Sequence, residues 1–339
     1  MLVGIGCALA AGFALWLTWL AARPSPRPLP AYGWWALGVL AGLEILLALR
    51  TPGVVIFFTA LIWTAYVPLV DAAVYRHRGD SMLHHAGSFT AMALLSVPAW
   101  LIFEAYNLHL RNWAYAGMPR QFWIFALGAT WAFATIFPGI FETADLVHCV
   151  WTRRMCCTPW RVQPRGMMIA GAVLLVVPLA LPEGLAAYTF ALVWVGFIFL
   201  LEPANRALGW PSLLEQLEAG RPGWTVALLW SGAACGFFWE FWNYWAQARW
   251  EYIFPILHRY RIFAMPVPGF IGFPPFALEC FALYSFLAGF LLPQCLRAAP
   301  RWGEQARPAA SRREEQAALR SALTPGEWRR RWWRIHERA

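Results

Sequence analysis

Runs of apolar residues, several of them near 20 positions long, recur along the chain and are separated by short segments that collect Arg, Pro and Gly. These runs are apolar on every face rather than along one stripe, which is the pattern of helices surrounded by lipid. They predict helices at about 1–22, 33–49, 54–74, 86–107, 121–146, 166–181, 184–202, 224–247 and 272–296. The fold class that follows is all-α: a polytopic membrane helix bundle of about nine spans. The first run has no basic residue ahead of it, and its first positive charge, Arg23, comes after it. That favours a retained helix over a cleaved signal peptide.

Sliding the two halves past each other shows a duplication. ALIWTAYVPLVD at 60–71 lies over ALVWVGFIFLLE at 191–202, a shift of 131 that also pairs Gly53 with Gly184 and Ser81-Met82-Leu83 with Ser212-Leu213-Leu214. Slightly further on, Glu104-x-x-Asn107 lies over Glu240-x-x-Asn243, and Trp113-x-Tyr115 over Trp250-x-Tyr252. The reading is one extra N-terminal helix followed by two parallel four-helix repeats, with a binding site expected where the repeats meet. The segments are 1–32 (first helix and linker), 33–150 (first repeat), 151–296 (second repeat) and 297–339 (tail).

Composition changes the picture little but fixes orientation. Sixty per cent of the 339 residues are hydrophobic and 13% are charged, too few charges for a soluble core of this size. All 27 basic residues are Arg. Arg23, Arg27, Arg76, Arg78, Arg153, Arg154, Arg161, Arg165, Arg206 and Arg221 fall on one side of the predicted spans, together with the Arg-rich tail. Arg50, Arg111, Arg120, Arg249, Arg259 and Arg261 fall on the other. The positive-inside rule then places the chain in the inner (cell) membrane with the N-terminus outside and the C-terminus cytoplasmic. The tail interleaves Arg with Trp, which suits the anionic inner-leaflet lipid surface rather than nucleic acid.

The candidate chemistry lies in 237–284, where Glu240, Asn243 and Glu279 stand among Trp, Phe, Tyr, Pro and Ala. An acid inside a membrane is costly unless neutral, paired or facing a polar cavity, so such acids are functional candidates. Glu104 with Asn107 and Glu240 with Asn243 are i,i+3 pairs on one helix face each. The alternative reading makes these groups hydrogen-bonding glue between helices and the W-x-Y aromatics interfacial anchors. The apolar, Pro- and Gly-rich stretch after Tyr252 predicts a re-entrant lid that delivers Glu279 to the Glu240 cluster. Glu142 stands 27 residues beyond Tyr115, as Glu279 does beyond Tyr252. Asp71 and Glu202, at matched positions, are expected in interfacial ion pairs with Arg76 and Arg206. The seven Cys form no CxxC pair and the His residues show no ligand spacing, so neither a metal nor a cofactor is expected.

W-x-Y followed by a Pro-x-x-(x)-Glu element, Pro275-Phe276-Ala277-Leu278-Glu279 here, resembles the tandem-repeat integral-membrane lycopene cyclases and, more loosely, related carotenoid-modifying membrane proteins. The likeness spans about 35–296 as a pattern of spans. Cys280 stands where that family usually carries a second acid. The resemblance implies non-redox acid-base chemistry, cyclase- or isomerase-like, on an isoprenoid, carotenoid or other membrane lipid. Glu240 would be the acid, with Glu104 or Glu279 taking a proton back and Asn107 and Asn243 as partners. Trp113, Tyr115, Trp239, Trp242, Trp250, Tyr252 and Phe276 would form the aromatic wall that stabilises a carbocation. Two other readings stay open: a transporter or channel with paired Glu at the repeat interface, and a scaffold recruiting a partner through its tail. A closed aromatic pocket separates the first reading from a polar path through the bundle. The oligomeric state is not legible.

Overall fold

The structure, a computed structural model, describes residues 2–297 apart from 254 and 258, so the tail beyond 297 lies outside the described residues. The first part of the bundle holds helices α1 (Val3–Ala22), α2 (Ala31–Ala48), α3 (Val54–Arg78) and α4 (Ala86–Leu110), strand β1 (Trp113–Ala116), and helices α5 (Phe122–Ala134) and α6 (Ile136–Val147). The second part holds α7 (Pro164–Ala180), the single turn α8 (Glu183–Ala186), α9 (Phe190–Leu208), α10 (Leu213–Glu218) and α11 (Gly223–Trp245). It ends with strands β2 (Arg249–Tyr252), β3 (Arg261–Ile262) and β4 (Met265–Pro266) and helix α12 (Phe273–Leu291). Among the described residues, seven helices are long and apolar enough to cross a membrane. Two further helices complete the bundle: α7 is apolar but has 17 residues, and α11 has 23 but carries Glu240, Asn243 and several aromatics. Large apolar side chains such as Trp35, Leu108 and Phe122 point outward, the inverted surface of a protein solvated by lipid.

Element boundaries depart from expectation where Pro and Thr intervene. The predicted helix over 121–146 is two helices, because Pro138 has no N–H to return to the preceding turn. Ser96 of α4 bridges the break: its hydroxyl donates to the Phe133 carbonyl and accepts from the Phe137 N–H at 3.1 Å. The helix predicted from 184 begins at Phe190, after Pro182 has set a separate turn. The last helix ends at Leu291 rather than 296, just before Pro293.

α2 packs along α3, and α7 along α9. Between these pairs, α4, α6, α11 and α12 form the centre, where α11 touches both α6 and α12, and α12 touches α4. Close approach there needs small residues: a Cβ on Gly232 would sit 2.3 Å from the Phe273 carbonyl oxygen. The helix backbones meet because glycine leaves that volume empty. α1 lies against α11, with Phe13 stacked on Phe237 at 5.3 Å.

The matched acids of α3 and α9 make matching hydrogen bonds. Asp71 accepts from the Ser81 hydroxyl (2.8 Å) and the Leu83 N–H (2.9 Å). Glu202 accepts from the Ser212 hydroxyl (2.8 Å) and the Leu214 N–H (3.1 Å). These bonds correct the expected ion pairs. Arg76 donates to the backbone carbonyls of Ala21 and Arg27, while Arg206 pairs with Glu218 at 2.7 Å. A buried acid at the turn between two helices is satisfied more cheaply by nearby N–H and O–H donors than by a cation that would also have to be buried.

Candidate functional site

The two W-x-Y segments pair with each other. β1 and β2 run antiparallel with Trp113 opposite Tyr252 and Tyr115 opposite Trp250, so one motif lies on an inverted copy of itself. Gly117, at positive φ, closes the end of β1 where a Cβ would meet the Gln247 carbonyl at 2.1 Å.

Each strand is tied to the helix before it by the Asn of that helix. The Asn243 amide donates to the Trp250 carbonyl and accepts from the Trp250 N–H, both at 2.9 Å. Asn107 donates to the Trp113 carbonyl (2.8 Å) and accepts from the Asn112 and Trp113 N–H groups. A primary amide is suited to this because it offers a donor and an acceptor side by side, as a neighbouring strand would.

The Glu one turn earlier receives the strand's aromatic donors. Glu240 Oε1 accepts from the Tyr252 hydroxyl (2.8 Å) and Trp250 Nε1 (3.3 Å). Glu104 Oε1 accepts from the Tyr115 hydroxyl, from Trp113 Nε1 (3.3 Å) and from Trp100 Nε1 (2.8 Å). Glu240 is wholly buried, and its Oε2 has no hydrogen-bond partner. Glu104 is half-buried. Burial, and then Glu104, holds the Tyr115 phenol well above the ordinary tyrosine range. Burial and Glu240 do the same for Tyr252. Both phenols therefore keep their protons and remain donors at neutral pH.

An aromatic cavity of about 140 Å³ opens on the far side of these donors. Trp113, Tyr115, Trp239, Trp250, Tyr252 and Phe276 line it, six of the seven aromatics expected from the sequence. The carboxylates themselves stand behind that wall. Trp242 is the exception: its indole N–H donates to Glu44 on α2 at 2.8 Å, and its ring packs on Trp63. Trp239, three residues earlier on the same helix face, packs on the same Trp63 ring, so the two differ in that the Trp242 indole is held by Glu44. A second cavity of about 320 Å³ lies between the loop after Tyr252 and α9, sharing Trp113, Trp194 and Tyr252 with the first. Met265, Pro268 and Ile271, from the stretch expected to form a lid, line that second space.

Glu279 does not join the Glu240 cluster. It is fully buried in α12, neither carboxyl oxygen reaches a hydrogen-bond partner, and it lines neither cavity. The backbone at Phe197 on α9 is its polar neighbour. Phe276, one turn earlier, reaches the cavity, while Glu279 lies against α9. Glu142 occupies the equivalent place, the seventh residue of α6 as Glu279 is the seventh of α12.

Among the wall residues that escaped the sequence reading are two tryptophans. Trp100 lies four residues before Glu104 and thus on its face, a spacing that could have exposed it. Trp194 lies over Trp63 in the 131-residue shift, but only the structure shows that it separates the two cavities. Among the described residues no group of three or more His, Cys, Asp or Glu could hold a metal ion. No protein-family model, curated protein or solved structure matches the chain, and the likeness to the lycopene cyclases rests on its short motifs alone.

Proposed function

We propose that this is an intramembrane enzyme that takes an apolar lipid of isoprenoid class into the aromatic cavity and rearranges it by proton addition and removal, without a redox cofactor. The observation that carries the reading is the wall itself, where two phenols, Tyr115 and Tyr252, line a mainly aromatic cavity that also includes Thr59 and Arg249, and each is hydrogen-bonded to a Glu behind it. A Tyr–Glu pair can pass a proton to a double bond held against it, or take one from the carbon beside the resulting cationic centre to re-form a double bond. With one pair adding a proton and the other removing one, atoms balance and the product is an isomer. Trp100, Trp113, Trp239 and Trp250 offer π faces to the cation formed between the two steps.

The proposal includes the architecture. One extra helix precedes two parallel four-helix repeats, α2 to α6 and α7 to α12, giving nine spans in all. The repeated Glu-Asn-Trp-Tyr bonding pattern and the matched Asp71 and Glu202 bonds support it. The N-terminus lies outside and the C-terminus in the cytoplasm, which accords with the Arg-rich loops. An anionic inner-leaflet contact through residues beyond 297 belongs to the same proposal.

Mass spectrometry of lipids extracted with the purified protein, followed by incubation of wild type and Glu240→Gln with the lipid found, tests the reading. Expected is an isoprenoid-class lipid that wild type converts to an isomer of equal mass and Glu240→Gln does not. Extraction of bulk phospholipid alone, or full conversion by Glu240→Gln, refutes it.

A further inference from the structure

A second group of ionisable residues lies apart from the aromatic cavity, around Glu142 of α6. Glu142 is completely buried and neither of its oxygens has a hydrogen-bond donor. Three charged groups act on it: Asp71 and Arg78 from α3, and Asp145 from its own helix. Arg78 is committed to Asp145, donating to both of its carboxylate oxygens. Asp71 and Glu142 are both fully buried, on the packed helices α3 and α6, and of the three charges Asp71 has the largest effect on Glu142. Two adjacent buried carboxyl groups relieve their repulsion by holding a proton between them.

Asp71 is also the inner end of a chain of hydrogen bonds that reaches the surface. Its Oδ2 accepts from the Ser81 hydroxyl at 2.8 Å and from the Tyr32 hydroxyl of α2 at 2.7 Å. Ser81 Oγ, its own proton directed to Asp71, lies 2.8 Å from His84 Nδ1. His84 is exposed, with its ring stacked on Tyr75 at 4.5 Å. The Ser81 hydroxyl has one proton, so the remaining bond requires Nδ1–H of His84 to donate to Ser81 Oγ. Each link from surface to buried acid is thereby a donor pointing inward.

We propose that Glu142 and Asp71 form a membrane-embedded proton-binding site, loaded from the Arg-rich side through His84 and Ser81. A proton from water binds His84 and its Nδ1 proton passes to Ser81 Oγ. The Ser81 hydroxyl proton passes to Asp71, and the proton then rests between Asp71 and Glu142. No electron moves, and the net change is one proton taken from water. The second half lacks the device: Glu202 keeps the equivalent Ser212 bond, but Ala282 and Gly209 stand, by the repeat register, where Asp145 and Arg78 do. The site is independent of what fills the aromatic cavity.

Infrared spectroscopy of the full-length protein in liposomes, transferred from H2O to D2O, tests this. Expected is a protonated-carboxyl band that shifts in D2O and disappears in Glu142→Gln. In Ser81→Ala and His84→Ala the band is retained, but its exchange with deuterium slows by roughly a hundredfold, in line with losing a positioned proton-transfer group. A band unchanged by Glu142→Gln overturns the site, and equally fast exchange in Ser81→Ala and His84→Ala overturns the route. Should Glu142→Gln fail to assemble, a membrane-soluble carbodiimide, which adds to protonated carboxyls, decides on wild type. An adduct on the peptide containing Glu142 supports the site; adducts only on other acids overturn it.

Discussion

Glu104 and Glu240 have the same local bonding and different surroundings. Glu104 is half-buried and has three donors on one oxygen, the third from Trp100. Glu240 is fully buried, has two donors, and keeps one oxygen without a partner. The cover differs as well. α5, with no buried residue, lines the cavity beside the first site, while Met265, Pro268 and Ile271 line the second cavity beside Tyr252. A shared motif therefore fixes the geometry of an acid and its phenol, while the chain that follows sets how far the acid is removed from its surroundings. Of the two, Glu240 is the one in which a proton has the greater consequence.

The largest expected effect follows from that contrast. Glu240→Gln retains the acceptor for Tyr252 but not the exchangeable proton, and lipid conversion should fall by about 10²–10⁴-fold with little change in thermal stability. Glu104→Gln should fall less, and equal losses would remove the asymmetry argued above. Next is Asn243→Ala, which strands the Trp250 N–H and carbonyl. A loss of about 1–3 kcal/mol for each stranded buried group is expected in an unfolding titration in detergent. Asn107→Ala, whose site is half-open, should lose less by the same measure. Tyr252→Phe removes one of the two donors to Glu240 and should destabilise by about 1–3 kcal/mol, the range for a buried polar group that loses its partner. Tyr115→Phe leaves Glu104 two indole donors and should lie below it. The smallest effect belongs to Trp242→Phe. It removes the bond to Glu44 outside the cavity, and should reduce stability by about 0.5–1.5 kcal/mol with conversion unchanged. A fall in turnover there would place Trp242 back in the pocket.

The lipid-facing helices were legible because their composition is constrained over twenty residues at a time, and eight of the nine predicted runs begin within two residues of the observed helix. The paired Glu and Asn were legible through repetition: two copies of a pattern carry information that one does not. What the sequence did not expose depends on direction. Trp242 and Trp239 are three residues apart and both pack on Trp63, and only the position of Glu44 on α2 holds one indole away from the cavity that the other lines. Glu279 was misplaced for the same reason, since its seventh position in α12 settles its depth but not which helix it faces. Asp71 was assigned to Arg76 by nearness in sequence, whereas its donors come from Ser81, Leu83 and Tyr32.

The antiparallel pairing of β1 with β2 also bears on the order in which the protein is made. The strand that secures the Glu104 site has its partner at 249–252, more than 130 residues further along the chain. Until that segment leaves the ribosome and its preceding helix is inserted, Trp113 and Tyr115 have no ladder to join. The first half must wait in the bilayer with its aromatic motif unpaired. The cavity is therefore closed by the last helices to arrive, and a chain stalled before residue 249 would hold Glu104 but no pocket.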